Sequence, residues 1–187
     1  MGRANRSKTN AKRLSKIKGN RIMDTYTKRR KFPHLLPKEV LIWNKFLDVH
    51  QKEYESFDYD IHVGFGADLP ERVSPMIRKI ALGLTRKRID VVGYKPNSIT
   101  IFELKPEAGL SAIGQCLAYY YLYRREFRPK RKVLMRIVST TTSRDTKDTA
   151  AAYGINWILV PIDWGKYKYD PAQRKYLLKS TQSTLPL

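Results

Sequence analysis

The sequence has little cysteine, few acidic residues and no long apolar run. Cys116 is the only cysteine among 187 residues, which excludes an intramolecular disulfide and a zinc site built from several cysteines. No run of about 18 apolar residues occurs, so we expect no membrane-spanning helix. The basic N-terminus is not followed by an apolar segment, so we expect no secretory signal. These absences predict a protein of a reducing compartment, neither secreted nor membrane-bound.

The shortage of acidic residues leaves a large positive charge. The chain has 37 Lys and Arg against 17 Asp and Glu, a formal net charge of +20. Residues 1–31 hold 12 basic residues and one acid, which gives +11; residues 32–187 hold 25 and 16, which gives +9. This excess predicts a polyanionic partner, and nucleic acid is favoured over a membrane surface because the basic segment lacks an apolar face. We interpret residues 1–31 as an arm that binds nucleic acid or a protein partner, with a merely solvated tail as the alternative, and residues 32–187 as the folded domain.

The apolar pattern predicts an α/β fold in which helices flank a mixed β-sheet. Hydrophobic residues make up 42% of the chain, enough to build a core. The predicted elements are a helix at 37–54, a strand at 59–65, a short helix or ordered loop at 75–84, strands at 88–94 and 99–105, a helix at 110–127, a strand at 132–140, a helix at 143–153, a strand at 155–162 and a basic hairpin at 165–179.

Two of these strands, 88–94 and 99–105, form a hairpin whose register follows from its tight turn. Paired residue numbers then sum to 193, so Asp90 lies opposite Glu103, and Lys105 shares their face. Two carboxylates facing each other on apolar strands repel unless a cation lies between them. We therefore expect a hard divalent ion at Asp90 and Glu103, with the backbone carbonyl of Leu104 as a further ligand.

Such a site suits the hydrolysis of phosphodiester bonds. Bound Mg²⁺ or Mn²⁺ lowers the pKa of a water molecule and shields charge on the phosphate. Lys105 is expected to orient or deprotonate that water, or to stabilise the transition state. The alternative is an ordinary charge cluster on an edge strand, in which Lys105 merely neutralises Glu103.

The same residues resemble the signature of the PD-(D/E)XK nuclease superfamily. Asp90 stands in Ile89-Asp90-Val91-Val92, thirteen residues before the Glu103 of Glu103-Leu104-Lys105. The next helix carries Gln115 and Tyr119, which resemble the Gln-x-x-x-Tyr element of the RecB-like branch. The predicted order of elements also matches the αβββαβ core of restriction-endonuclease-like proteins over about residues 37–162. The proline of the family name is absent, because Ile89 precedes Asp90.

The resemblance implies a metal-dependent DNA endonuclease, with Mg²⁺ as the usual metal. Many members carry a metal-binding glutamate on the first helix, for which Glu39 is the best match. Gln115 would position water or substrate, and Tyr119 would support the site or contact DNA. The implied catalytic residues are Asp90, Glu103, Lys105 and Gln115.

Basic clusters on either side of the long helix predict contacts with phosphates, although solvated loops are the alternative. One cluster immediately precedes Asp90, and the other follows the helix at 110–127. The residues predicted to contact DNA are Arg86, Lys87, Arg88, Tyr119, Arg124, Arg125, Lys130 and Arg131.

The short chain shows no helicase, ATPase or recognition domain, so we expect an enzyme that processes junctions or DNA ends rather than a sequence-specific one. By resemblance, small members include head-completion nucleases of tailed phages, which would add portal or neck proteins as partners. The protein would then be cytoplasmic in a host cell or virion-associated. The rival hypothesis is a catalytically silent structural DNA-binding protein of a virion on the same fold, and RNA stays open as a substrate.

Overall fold

A five-stranded sheet lies at the centre of the chain in a computed structural model that describes residues 32–179. The arm predicted at residues 1–31 lies outside the described residues. The helices are α1 (Pro37–His50), α2 (Pro75–Thr85), α3 (Leu110–Phe127) and α4 (Arg144–Ala152). The strands are β1 (Ser56–Val63), β2 (Lys87–Tyr94), β3 (Ser98–Glu107), β4 (Lys132–Thr141), β5 (Ile155–Leu159), β6 (Tyr167–Asp170) and β7 (Lys175–Leu178).

The sheet is mixed and follows chain order from β1 to β5. Strands β1, β2 and β3 pair antiparallel, whereas β3, β4 and β5 pair parallel. Parallel neighbours need a crossover, and α3 and α4 supply the two crossovers. The predicted α/β architecture is thus confirmed, as is the final hairpin, which forms a separate two-stranded sheet of β6 and β7.

Several predicted boundaries differ from the structure by a few residues, and three of these differences concern α1, β1 and β5. Helix α1 ends at His50, and a single 3₁₀ turn at Gln51–Glu53 follows, where the prediction continued to residue 54. Strand β1 therefore begins earlier than predicted, at Ser56. Strand β5 ends at Leu159 rather than 162, because Pro161 has no N–H to donate to a sheet.

The two faces of β2 and β3 pack on different helices. Val91 and Phe102 lie in one core cluster with Trp43 of α1. Ile101 lies in another with Tyr119 of α3. Because side chains alternate along a strand, Glu103, two positions after Ile101 on β3, lies on the same face toward α3. Within residues 32–179, no helix has the combined length and apolar character needed to cross a membrane.

Candidate active site

Asp90 and Glu103 are neighbours at the point where β2 and β3 stop pairing. The ladder runs from Tyr94 opposite Ile99 to Val91 opposite Phe102, and each pair of numbers sums to 193, which confirms the predicted register. Asp90 and Glu103 are the next two positions in that register. There the main-chain N–H of Leu104 donates to Oδ2 of Asp90 at 2.9 Å. The Asp90 carboxylate therefore accepts a hydrogen bond from the opposite strand just past the end of the ladder.

Both carboxyl groups are buried. Asp90 is 5% exposed and Glu103 is 1% exposed. Burial raises the pKa of Asp90, against the effect of the Leu104 hydrogen bond, and burial together with the charge of Asp90 raises the pKa of Glu103. Apart from the Lys105 contact described next, the carboxylate oxygens of Glu103 find no hydrogen-bond partner within residues 32–179. Ionised carboxylates in this position cost free energy that only a proton or a cation offsets.

Lys105 supplies one positive charge to the pair. Its Nζ lies 3.1 Å from Oε1 of Glu103 and 3.6 Å from Oε1 of Glu39. The contact with Glu103 is an ion pair at hydrogen-bonding distance. Burial lowers the pKa of Lys105, but the neighbouring carboxylates, Glu103 first, raise it by more. Lys105 is therefore protonated in this arrangement, which favours orientation and charge stabilisation over proton abstraction.

Glu39 reaches the site from the first turn of α1. Pro37 opens the helix, and the side chain of Glu39 folds back so that its Oε2 accepts from the main-chain N–H of Leu36 at 2.8 Å. This contact fixes the carboxylate, and its other oxygen faces Lys105. Glu39 is only 4% exposed. The structure thus brings the glutamate predicted from the first helix to the same place as Glu103 and Lys105.

Helix α3 lies over the carboxylates and contributes two polar side chains. Burial, and then the charges of Glu103 and Asp90, raise the pKa of Tyr119 to about 12, while a hydrogen bond from the Gln115 side chain opposes the shift. Tyr119 therefore lies within electrostatic range of the pair, and Gln115, one helical turn away, contacts Tyr119. Tyr119 is only 7% exposed, so the structure places it in the core supporting the site rather than on a surface where DNA could stack.

The donor atoms fit a hard divalent cation. Asp90 and Glu103 offer carboxylate oxygens, and the main-chain carbonyl of Leu104 lies between Glu103 and Lys105 on β3. The buried Glu103 carboxylate, which has no hydrogen-bond partner within residues 32–179 other than the Lys105 ammonium, is the observation that carries this fit. In the described part of the chain, no three His, Cys, Asp or Glu side chains converge into a complete metal cluster. Main-chain, water and phosphate oxygens would complete the coordination, as is usual for Mg²⁺.

No protein-family profile and no curated protein matches the sequence. A repair endonuclease from Pyrococcus abyssi aligns with a TM-score of 0.40 and 15% identity, over 65% of this chain and 46% of that chain. A structure of an EndoMS–dsDNA2 complex aligns with a TM-score of 0.40 and 17% identity, over 73% of this chain and 50% of that chain. The chain thus spans half or less of the length of these proteins. At such TM-scores the function has to be argued from the site itself.

A polar cluster that the sequence did not predict flanks the site on β1. The β1–β2 register places Asp60 level with Asp90, between the pairs Tyr59–Val91 and Ile61–Ile89. Asp60 has a φ of 58°, a left-handed conformation that a strand residue other than glycine rarely adopts. Such backbone strain concentrates at functional sites. No sequence signal could have shown it, because an aspartate in an alternating strand is ordinarily solvent-facing.

Asp60 is held in this cluster by Arg88. Its two carboxylate oxygens accept from Nε and Nη2 of Arg88 at 2.6 and 2.7 Å, and Nε2 of His62 lies 3.5 Å from Oδ1. Burial raises the pKa of Asp60, but the Arg88 contacts lower it by more, so Asp60 is ionised. Burial and the charge of Arg88 lower the pKa of His34, which lies near the same cluster. Asp60 thus adds a third negative charge near Asp90.

Three of the arginines predicted to contact DNA are partly buried and have partners within the protein. Arg86 donates to both oxygens of Glu126, at 2.5 and 2.6 Å, and to main-chain carbonyls of β1 and the loop after it. Arg88 is paired with Asp60 as described. Nη1 of Arg131 donates to the carbonyl of Lys95 at 2.8 Å. These arginines link the ends of neighbouring strands. The sequence could not show this, because their partners are distant along the chain.

The remaining basic residues of both clusters are exposed. The guanidinium of Arg124 lies 5.3 Å from the ring of Tyr120, and that of Arg125 lies 4.3 Å from the ring of Phe65. Nη1 of Arg124 also donates to the hydroxyl of Tyr120 at 2.8 Å. Stacking of this kind orients a guanidinium and leaves its other N–H groups available to a phosphate. The exposed members of the predicted set are Lys87, Arg124, Arg125 and Lys130.

Proposed function

We propose that the protein is a metal-dependent DNA endonuclease of the PD-(D/E)XK type. The observation that carries the proposal is the buried carboxylate pair of Asp90 and Glu103, in which the Glu103 oxygens have no hydrogen-bond partner within residues 32–179 other than the Lys105 ammonium. A carboxylate pair buried in this way costs stability unless a cation offsets it. A buried carboxylate pair that lowers stability, next to a lysine and facing a helix with polar side chains, is typical of a catalytic site.

Each residue of the site has a separate task in this proposal. Mg²⁺ or Mn²⁺, when bound at Asp90 and Glu103, supplies Lewis-acid activation of water and of the phosphate. Lys105, protonated and held between Glu103 and Glu39, stabilises the negative charge that grows on the phosphate during attack. Gln115 positions the attacking water or the substrate from α3. Glu39 anchors Lys105 and provides a further oxygen ligand.

The positive charge of the protein supports a nucleic acid as the substrate. The domain keeps four exposed basic residues of the predicted set, Lys87, Arg124, Arg125 and Lys130, and residues 1–31 add a net +11. Phosphate contacts by such groups supply affinity without sequence specificity. A catalytically silent DNA-binding protein would need no buried carboxylate pair. Residues 32–179 give no specific support for head completion in a virion. The proposal therefore includes neither a silent DNA-binding role nor a head-completion role.

The test is cutting of supercoiled plasmid, branched DNA and linear duplex, with Mg²⁺, with Mn²⁺ or with a chelator. We expect cutting with either metal and none with the chelator, because Asp90 and Glu103 alone provide no Lewis acid. Calorimetry should show Mg²⁺ binding that Asp90→Asn removes. Asp148→Asn, an exposed carboxylate change on α4, is the matched control and should behave as wild type. DNA binding without cutting in either metal would reject the enzyme and favour the silent DNA-binding protein.

Removing residues 1–31 should weaken DNA binding and flatten its salt dependence. Each phosphate contact contributes about 0.9 to the slope of log K against log salt, so losing several arm contacts lowers the slope by several times that amount. Binding of Mg²⁺ to the domain should not change. Fluorescence anisotropy across a salt series measures the slope, and an unaltered slope would show that the arm contacts no phosphates.

A further inference from the structure

An apolar cavity adjoins the candidate active site and has no part in the chemistry proposed above. Its volume is about 300 Å³, and its walls include Leu36, Pro37, Pro106, Tyr169 and Tyr176. Glu39 also lines it, and Oε1 of this glutamate lies 3.6 Å from Nζ of Lys105. The cavity therefore shares Glu39 with the candidate site, and Lys105 contacts that glutamate from the other side.

The aromatic wall of the cavity comes from the separate hairpin. Tyr169 of β6 is paired with Tyr176 of β7, and their ring centroids are 5.2 Å apart. The Trp164 ring packs against Tyr176 with a centroid distance of 5.5 Å, which helps to fix that ring. Tyr169 is nevertheless 41% exposed. The wall thus presents an open aromatic surface toward solvent, held in place by its neighbours.

The surroundings of the cavity are basic. Residues 164–179 hold five Lys and Arg against one Asp, a net charge of +4. Lys38 lines the cavity, and Lys105 lies just beyond Glu39. This charge attracts a polyanion, whereas an apolar peptide segment would gain nothing from it. An aromatic wall within a basic surface is the combination that binds single-stranded nucleic acid, through stacking on bases and attraction of phosphates.

We propose that the cavity receives an unpaired nucleobase of the DNA strand that is cut, stacked against Tyr169 and Tyr176. Bases within a duplex are paired and stacked, so only an unpaired or extruded nucleotide can enter. This inference rests on the proposed function and deepens it. The preferred substrates are DNA molecules with an unpaired nucleotide beside the cleaved phosphate, such as a flap, a loop or a frayed end.

Binding to DNA that carries 2-aminopurine tests the inference in the full chain. The probe is placed either in a short single-stranded flap or inside a fully paired duplex, and a chelator prevents cutting. We expect quenching and tighter binding for the flap, because the free base stacks on tyrosine. Tyr169→Ala should weaken flap binding about 10-fold and leave duplex binding unchanged. Tyr169→Phe should retain flap binding, and Tyr153→Ala, an exposed tyrosine after α4, is the control.

A second variant covers the case in which loss of a tyrosine disturbs the hairpin. Leu36 is 63% exposed at the cavity, so Leu36→Trp should fill the space without disturbing the core and reduce flap binding selectively. Equal binding of flap and duplex by wild type, or equal losses on both DNAs in Tyr169→Ala, would overturn the inference. Tighter flap binding after deletion of residues 180–187 would also overturn it, because that segment would then be the occupant of the cavity. Because no cutting is needed, failure of the inference is distinct from failure of the enzyme proposal.

Discussion

Replacing Lys105 with methionine is expected to abolish DNA cutting without weakening Mg²⁺ binding. Methionine keeps much of the length and apolar stem of lysine but removes the ammonium that lies 3.1 Å from Glu103. Loss of a preorganised charge at the reacting phosphate should slow cleavage by about 10²–10⁴-fold. Metal binding should persist or tighten, because the ammonium and the metal share Glu103 and repel each other.

Single-turnover cleavage and calorimetric titration with Mg²⁺ separate the two effects. Lys147→Met, an exposed lysine of α4, is the matched control and should cut as wild type. If Lys105→Met binds Mg²⁺ less well and cuts at an unchanged rate, the lysine is not part of the catalytic machinery. The Asp90 and Glu103 pair would then need another explanation.

The candidate site was predictable wherever its geometry depends on local rules. The tight turn between β2 and β3 fixes their register, so Asp90 and Glu103 could be placed together from sequence alone, and the ladder confirms it. Gln115 and Tyr119 are four residues apart on α3, and helical spacing alone makes them neighbours. The register needed only the tight turn and the period of a strand, whereas the assignment of Gln115 and Tyr119 to the site came from the family resemblance.

The features that sequence reasoning missed depend on contacts between distant segments. Arg86 finds Glu126 forty residues away, and Arg88 finds Asp60 across β1. A basic cluster cannot reveal whether its charges are already paired in the fold. The cavity likewise exists only because the β6–β7 hairpin lies against the start of α1. The alternating basic residues and tyrosines at 166–176 were compatible with a plain hairpin. Only the packing shows that the rings of Tyr169 and Tyr176 line the same cavity as Glu39.

Replacing Glu103 with glutamine is expected to stabilise the metal-free protein at alkaline pH while removing activity. Burial and the charge of Asp90 raise the pKa of Glu103 to about 8 in the fold, whereas the pKa of a glutamate in the unfolded chain is about 4.3. As pH rises between these values, the unfolded chain releases its proton first. The free energy of unfolding of wild type therefore falls through this window and levels off above it. Glutamine has no proton to release, so the variant lacks this loss.

Urea denaturation in chelator, at the acidic and alkaline ends of that window, measures the difference. We expect the free energy of unfolding of Glu103→Gln to exceed that of wild type by several kcal/mol at the alkaline end, since each pKa unit corresponds to about 1.4 kcal/mol, and by much less at the acidic end. Added Mg²⁺ should stabilise wild type by occupying the site and should have little effect on the variant. Glu107→Gln, at the exposed end of β3, is the control. If Glu103 and Lys105 formed only a structural ion pair, Glu103→Gln would instead lower stability, because it would leave the ammonium without its carboxylate. The sign of this one change therefore separates a metal-binding carboxylate from an ordinary charge cluster, independently of any measurement of cutting.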